Sequence, residues 1–356
     1  MRFLLLSALL FSAAPTQAAD GPSSEATAYI DAALKIMQEH FVYRGKMDWQ
    51  QLRRDTFPQA ASAQTSVDTY AAIRFALAKL GDHHSYLQLT PDLMRQATSR
   101  GVAPAANAPA PSRDPAKPVN PFPSPFRSRR VPEGAMVALA ARPIAQLVIP
   151  MFSGPEPDAF ASRIQNVVAE LASKNPCGWI VDLRGNGGGN IWPMMAGVGP
   201  VLGEGEPGGV LHSGGVKDKW FYENGRAGER DDPKDPYYAK TNGAPVKLNG
   251  SPPVAVLIDR GTGSSGEGIA VAFHGRPGTR FFGEATYGVA TSTFPYTLSD
   301  GAQIYLVTGV MIDRKGNEYP FGVEPDQEIL SDFSISTNDP VIRAASEWLS
   351  EQRGCR

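Results

Sequence analysis

The chain has 356 residues, of which 42% are hydrophobic, and its formal net charge at pH 7 is -2. A nearly neutral chain without a long basic run gives no reason to expect a nucleic acid or an anionic membrane surface as a partner. The length exceeds that of one ordinary domain, so we expect one large domain with a smaller one attached.

The N-terminal segment 1–18 has the pattern of a secretory signal peptide. Arg2 precedes an apolar stretch from Phe3 to Phe11, and small residues lead to a cleavage site after Ala18. The apolar stretch is too short to span a bilayer, and no later run reaches the roughly 18 to 20 apolar residues that a spanning helix needs. We therefore expect an exported protein, periplasmic or secreted, with no integral membrane segment after signal cleavage.

Two segments in the first part of the mature chain have apolar residues at helical spacing. They run from Glu25 to Phe41 and from Val67 to Leu80, and Gly81 ends the second. We expect residues 19–95 to form a small N-terminal helical subdomain. Residues 96–135 follow as a loop or linker, because nine prolines between 101 and 132 and many alanines cannot build a packed core.

From residue 136 to residue 356, strand and helix patterns alternate, which predicts an α/β domain. Strand patterns lie at 145–152, 178–184, 252–259, 279–284 and 303–309, and helix patterns lie at 158–173 and 267–273. Glycine-rich turns, 185–189 and 261–266, follow the second and the third of these strands. Ligands of α/β proteins gather beyond such strand ends.

The turn GTGSSGE, residues 261–267, allows two functional interpretations. Its glycines have the spacing of a dinucleotide-binding turn, and Glu284 lies near the position of the acidic ribose partner, but an exported protein seldom meets nicotinamide cofactors. Alternatively, Ser264 or Ser265 is a nucleophile on a sharp turn before a helix, although the G-x-S-x-G pattern of α/β-hydrolases is absent.

A nucleophilic serine needs a base, since its hydroxyl is scarcely nucleophilic at neutral pH. His83 and His84 follow the end of the second helix in the stretch LGDHHSYL. A histidine at this position can also cap carbonyl groups or pair with Asp82, so the residues alone leave its role open.

Cys177 and Cys355 are the only cysteines. In an oxidising compartment they form either one disulfide or two unpaired thiols, and their separation in sequence does not distinguish these outcomes.

The order of four motifs, LGDHHS, DLRGNGGG, TGSSGE and GVEPD, between Leu80 and Asp326 resembles that of peptidase family S41, which includes carboxyl-terminal processing peptidases and the tricorn core. The resemblance implies a crotonase-like α/β core with a mixed sheet and flanking helices, a small N-terminal helical subdomain and serine peptidase activity. It also implies that the substrate is a peptide or a protein and that no metal or cofactor takes part. The segment 87–144 is too short for a PDZ domain.

The same resemblance assigns roles to residues of this chain. Ser264, three positions before Glu267, corresponds to the nucleophile, and Val289 stands where processing peptidases have a lysine base. Within the family the motifs are closest to those of the nisin-resistance type, in which a histidine acts as base, and the matching residue is His84.

Backbone N–H groups of Ser265 and Gly188 are the candidate oxyanion hole, and Glu318 and Asp82 are the candidate acids that orient His84. We therefore expect an exported serine endopeptidase with a Ser-His dyad. A catalytically silent peptide-binding protein of the same fold is the alternative that Val289 leaves open.

Overall fold

The computed structural model describes residues 21–102, 129–137, 142–230, 237–330 and 339–356. The expected signal peptide and most of the proline-rich segment, residues 103–128, lie outside these ranges. No helix in the described part of the chain combines the length and the apolar composition needed to cross a membrane.

Helices and strands alternate through most of the described residues. The helices are α1 (Ser24–His40), α2 (Trp49–Thr56), α3 (Tyr70–Lys79), α4 (Pro91–Ser99), α5 (Pro157–Ala172), α6 (Ile191–Leu202), α7 (Ser265–Phe273) and α8 (Pro340–Ser350). The strands are β1 (Tyr86–Gln88), β2 (Glu133–Val137), β3 (Ile144–Val148), β4 (Gly178–Asp182), β5 (Gly208–His212), β6 (Lys217–Glu223), β7 (Arg226–Glu229), β8 (Ala239–Lys240), β9 (Val254–Ile258), β10 (Thr279–Gly283), β11 (Thr291–Thr297), β12 (Gln303–Asp313) and β13 (Gln327–Glu328).

The first sheet has the strand order β13-β10-β9-β4-β3-β2 within the described residues. Neighbouring strands of this sheet are parallel, except that β2 and β3 are antiparallel. Every residue of β4 and β9 is buried, because helices cover both faces of the sheet. Helices α5, α6 and α7 pack on one face, and α8 packs on the other. The mixed α/β architecture expected from the alternating pattern is thus confirmed.

The second sheet is antiparallel and has the order β1-β12-β5-β6-β7-β8, with β11 on the other edge of β12. Its strand β12 is long, and the buried residues Ile304 and Leu306 on it share a core with helices α1 and α3. Short strand β1, directly after α3, pairs Tyr86 with Tyr305. The N-terminal helices therefore pack on this sheet, which brings the loop between α3 and β1 toward the strands that follow α7.

Cys177 and Cys355 form a disulfide, with Cα atoms 4.9 Å apart, so the first of the two alternatives holds. The bond connects the start of β4 to the residues after α8, and both sulfur-bearing side chains are buried in the core beneath that helix. Strand β4 leads directly into one glycine-rich turn, so this cross-link fixes the strand from which the turn extends.

Helix α6 is the largest element without a sequence prediction. Its sequence, IWPMMAGVGPVL, includes Pro200 inside the helix and glycines at 197 and 199, all of which lower intrinsic helix propensity. Most of its residues are buried, and an added Cβ at Gly199 would collide with the Tyr222 ring. Close packing against neighbours, rather than propensity, determines this helix.

Candidate active site

The two glycine-rich turns lie side by side because the strands before them are parallel neighbours. Strands β4 and β9 pair in register, with Asp182 opposite Leu257, so both turns leave the same edge of the sheet. The Asp259 carboxylate joins them, accepting hydrogen bonds from the N–H groups of Gly185 at 2.8 Å and Gly261 at 2.9 Å. Two loops that are far apart in sequence therefore form one unit.

Further hydrogen bonds fix the relative position of the turns. Gly263 donates its N–H to the Asn186 carbonyl at 2.9 Å, and the Ser265 hydroxyl donates to the Gly189 carbonyl at 2.5 Å. The hydroxyl of Ser265 is thus used to hold the glycine loop. Of the two adjacent serines, Ser265 is therefore the one whose side chain holds the two turns together.

Ser264 stands immediately before α7 with φ 50° and ψ -120°. Positive φ is uncommon for a residue with a side chain and costs about 1–3 kcal/mol, so it persists only where the surroundings impose it. Such conformations concentrate at functional sites, and Ser264 occupies the sharp turn between strand β9 and helix α7.

The Glu267 carboxylate imposes that conformation. It is fully buried and accepts hydrogen bonds from the N–H of Ser264 at 2.8 Å, the hydroxyl of Thr286 at 2.6 Å and the N–H groups of Gly288 and Val289 at 2.7 and 3.0 Å. Burial raises the pKa of Glu267, and these hydrogen bonds oppose the shift. One side chain thereby connects the start of α7 to the segment that precedes β11.

His84 lies in the loop between α3 and β1, and its backbone is held by Asp82. The Asp82 carboxylate accepts hydrogen bonds from the N–H groups of His84 at 2.7 Å and Ser85 at 2.6 Å. The imidazole Nδ1 lies 2.7 Å from Thr291 Oγ1. Burial lowers the pKa of His84 below its ordinary value, and the negative charge of Asp82 opposes this shift.

A continuous series of contacts links His84 to Ser264. Thr291 contacts the imidazole and donates its N–H to the Val289 carbonyl at 2.7 Å. Val289 donates its own N–H to Glu267, which also holds the N–H of Ser264. The two residues that the sequence singled out as nucleophile and base are therefore attached to one hydrogen-bonded network, although 180 positions separate them in the chain.

The two candidate orienting acids are placed differently from one another. Asp82 contacts backbone N–H groups of the His84 loop, and Glu318 is exposed in the turn after β12. Burial raises the pKa of Tyr43, and the negative charges of Glu318 and Asp82 add to this shift. Among the described residues, the ring of His84 has a hydrogen bond to Thr291 and to neither carboxylate.

His83 and Val289 have environments that contrast with that of His84. His83 is exposed with φ 56° and has no hydrogen bond among the described residues. Val289 is buried, and its backbone rather than its side chain contacts Glu267. The position at which processing peptidases have a lysine is thus occupied here by a residue that supplies an N–H group to the network.

The two expected oxyanion donors also differ. Ser265 begins α7, and its N–H has no acceptor in the described part of the chain, as is usual for the first turn of a helix. The N–H of Gly188 is donated to Asn186 Oδ1 at 3.0 Å. The Cα of Gly188 packs against the serines, since an added Cβ would lie 2.8 Å from Ser264 Cβ and 2.9 Å from Ser265 N.

Thr291, Asn186 and Asp259 are site residues that the sequence analysis did not identify. Asp259 had a usable signal, because it ends an apolar strand and begins a glycine-rich turn. The sequence held no comparable signal for Thr291, since its partner His84 is 207 positions away.

The sequence model of peptidase family S41 matches residues 143–329, which is more than half of the chain and includes both glycine-rich turns. The nisin-resistance protein of Lactococcus lactis subsp. lactis is 26% identical over 331 residues, which cover 91% of this chain and 87% of that protein.

Two solved structures show a similar fold. A lipoprotein from Streptococcus agalactiae aligns with TM-score 0.62 and 20% identity, over 96% of this chain and 99% of that one. The photosystem II D1 C-terminal processing protease aligns with TM-score 0.58 and 17% identity, over 86% of this chain and 94% of that one. At these identities the likeness concerns the fold.

Substituting Gly188 tests whether the two turns pack as described. Gly188→Ala would place a methyl group against Ser264 and the backbone of Gly263, at φ 106°, so we expect a loss of about 1–3 kcal/mol or more in the free energy of unfolding. Gly187→Ala is the matched control, because its Cβ would meet no atom within 4 Å. Urea unfolding measures both. Equal stability of the two variants would contradict the packing.

Proposed function

The chain belongs to peptidase family S41, and on that basis we propose that it is an exported serine endopeptidase in which Ser264 is the nucleophile and His84 the base. The observation that carries the proposal is the network through Glu267 and Thr291, which attaches both residues to the segment before β11. The positive φ of Ser264, on a turn directly before a helix, adds independent support.

In the proposed reaction, Ser264 Oγ attacks the carbonyl carbon of a peptide bond while His84 Nε2 takes the hydroxyl proton. The tetrahedral intermediate then breaks its carbon–nitrogen bond, and the proton passes from His84 to the leaving amine. Water attacks the acyl-enzyme with His84 again as base, which releases the carboxylic acid and restores Ser264.

Negative charge develops on the carbonyl oxygen, and the N–H of Ser265, which has no acceptor among the described residues, is the first donor for it. The first turn of α7 also favours an anion there. Gly188 is the proposed second donor, sharing its N–H between the oxyanion and Asn186 Oδ1. Removing one such donor typically costs a factor of about 10² to 10³ in rate.

A histidine base is consistent with the presence of Val289 at the position where processing peptidases have a lysine. Val289 is buried and has no ionisable side chain, so it cannot serve as the base. Burial lowers the pKa of His84 below its ordinary value, which favours the neutral imidazole whose lone pair can take the proton.

Finer features of the fold and location belong to the same proposal. We infer a crotonase-like core around the parallel strands β3, β4, β9 and β10, without a PDZ domain. The pattern of residues 1–18 and the Cys177–Cys355 disulfide support export, since disulfides persist in oxidising compartments. The substrates are then peptides or proteins of the periplasm or the exterior.

The alternative is a silent peptide-binding protein of the same fold. It is favoured by the hydrogen bond between Gly188 and Asn186, which occupies one of the two oxyanion donors in this structure. The variants below separate the two, because only an enzyme loses cleavage when Ser264 is changed.

Single substitutions at the paired serines and histidines test the dyad. Ser264→Ala and His84→Ala should each lower kcat/KM for a susceptible peptide by about 10³-fold or more, and the double variant should be little worse than either, because members of one catalytic unit are not additive. Ser265→Ala keeps its backbone N–H and loses the contact with the Gly189 carbonyl, so we expect less than about a tenfold effect.

His83→Asn is the matched control for His84, since asparagine tolerates the positive φ at that position. All variants should melt within a few degrees of the wild type for the comparison to count. Wild-type cleavage by Ser264→Ala would end the proposal, and an inactive wild type would favour the silent alternative.

The pH dependence of kcat/KM identifies the base. Because burial lowers the pKa of His84, protonation of the base should lower the rate at a more acidic pH than for an ordinary histidine, and the rate should level off once the imidazole is neutral. Steady-state assays from pH 4.5 to pH 10 measure this profile. A rate that still rises through pH 9 would indicate a lysine-like base.

A further inference from the structure

Among the described residues, the imidazole of His84 has one hydrogen-bond partner, the hydroxyl of Thr291, at 2.7 Å from Nδ1. Thr291 is 5% exposed and begins β11, where its backbone pairs with Val310 of β12. Its hydroxyl has no second hydrogen-bond partner in the described part of the chain. The Thr291 hydroxyl and the His84 ring are therefore each other's hydrogen-bond partners at this buried position.

We propose that Thr291 is a positioning residue for catalysis, whose hydroxyl accepts the Nδ1–H of His84 and so fixes the tautomer with the lone pair on Nε2. This inference rests on the proposed function, in which His84 is the base. In a serine triad an acid orients the histidine, and here a neutral hydroxyl would do so. Threonine can fill that part since its hydroxyl has two acceptor lone pairs.

The location of Thr291 explains how its hydroxyl is kept in place. Its N–H is donated to the Val289 carbonyl at 2.7 Å, and Val289 is held by Glu267, which also holds Ser264. Threonine is β-branched, so its side chain has few rotamers on a strand. The atom that orients the base is thus attached to the same carboxylate that shapes the turn of the nucleophile.

A neutral orienting group has a chemical consequence that a carboxylate would not have. The Thr291 hydroxyl fixes the ring without placing a negative charge next to it. The charged group that affects the pKa of His84 is Asp82, whose carboxylate accepts hydrogen bonds from the backbone of the loop. The imidazolium formed during the reaction therefore gains less electrostatic stabilisation than in a triad with an acid. Orientation and tautomer, rather than charge, are what Thr291 supplies.

The direct test is the tautomer of His84, which is measured without any substrate. Long-range ¹H–¹⁵N spectra of full-length mature protein with ¹⁵N-labelled histidine, recorded at pH 8, separate Nδ1–H from Nε2–H, and His84→Gln assigns the signal. We expect the Nδ1–H tautomer in the wild type and in Thr291→Ser, and a shift toward Nε2–H in Thr291→Val. A wild-type Nε2–H tautomer, or no change in Thr291→Val, would overturn the inference.

Kinetics of the same variants supply the functional readout. Thr291→Val keeps the side-chain shape and removes the hydroxyl, so kcat should fall by about tenfold or more with little change in KM. Thr291→Ser should recover most of the activity, and Thr297→Val, at the exposed end of β11, is the control. Full activity of Thr291→Val beside an active wild type would overturn this inference alone. An inactive wild type with the expected tautomers would instead contradict the proposed function.

Discussion

The buried carboxylate of Glu267 accepts hydrogen bonds from two separate segments of the chain, the turn before α7 and the loop between β10 and β11. Ser264 before α7, Thr286 in the loop after β10, and the N–H groups of Gly288 and Val289 all donate to it. Burying a carboxyl group is costly unless its oxygens are hydrogen-bonded, so the protein retains this group only while all the donors stay in place. That requirement keeps the strained turn of Ser264 and the approach to β11 in one fixed relation.

The network extends in two directions from this carboxylate. Toward the first sheet, the turn of Ser264 is joined to the glycine loop through the Asp259 carboxylate, the Asn186 carbonyl and the Ser265 hydroxyl. Toward the second sheet, Thr291 continues the connection to His84, whose loop is placed by the packing of α3 and β1 on β12. The site therefore forms where the two sheets meet, and neither sheet contains it alone.

The sequence predicted what depends on local pattern and could not predict what depends on tertiary contact. The spacing of Ser264 and Glu267 and the strand before them were readable because they lie within one short stretch. Thr291 contacts His84 from 207 positions away, and no periodicity or motif encodes such a pair. Helix α6 escaped prediction for a related reason, since packing overrides the poor helix propensity of its glycines and prolines. The hydrogen bond from the Gly188 N–H to Asn186 Oδ1 likewise depends on the folded conformation of the loop.

Labelling by a fluorophosphonate reagent, followed by peptide mapping, tests the central claim that His84 activates Ser264. Such a reagent modifies a serine only when a base has made its hydroxyl nucleophilic. The account predicts one adduct, on Ser264, in the wild type, and loss of that adduct in His84→Ala. Labelling of Ser264 at the same rate in His84→Ala, or an adduct on Ser265 in its place, would contradict the account.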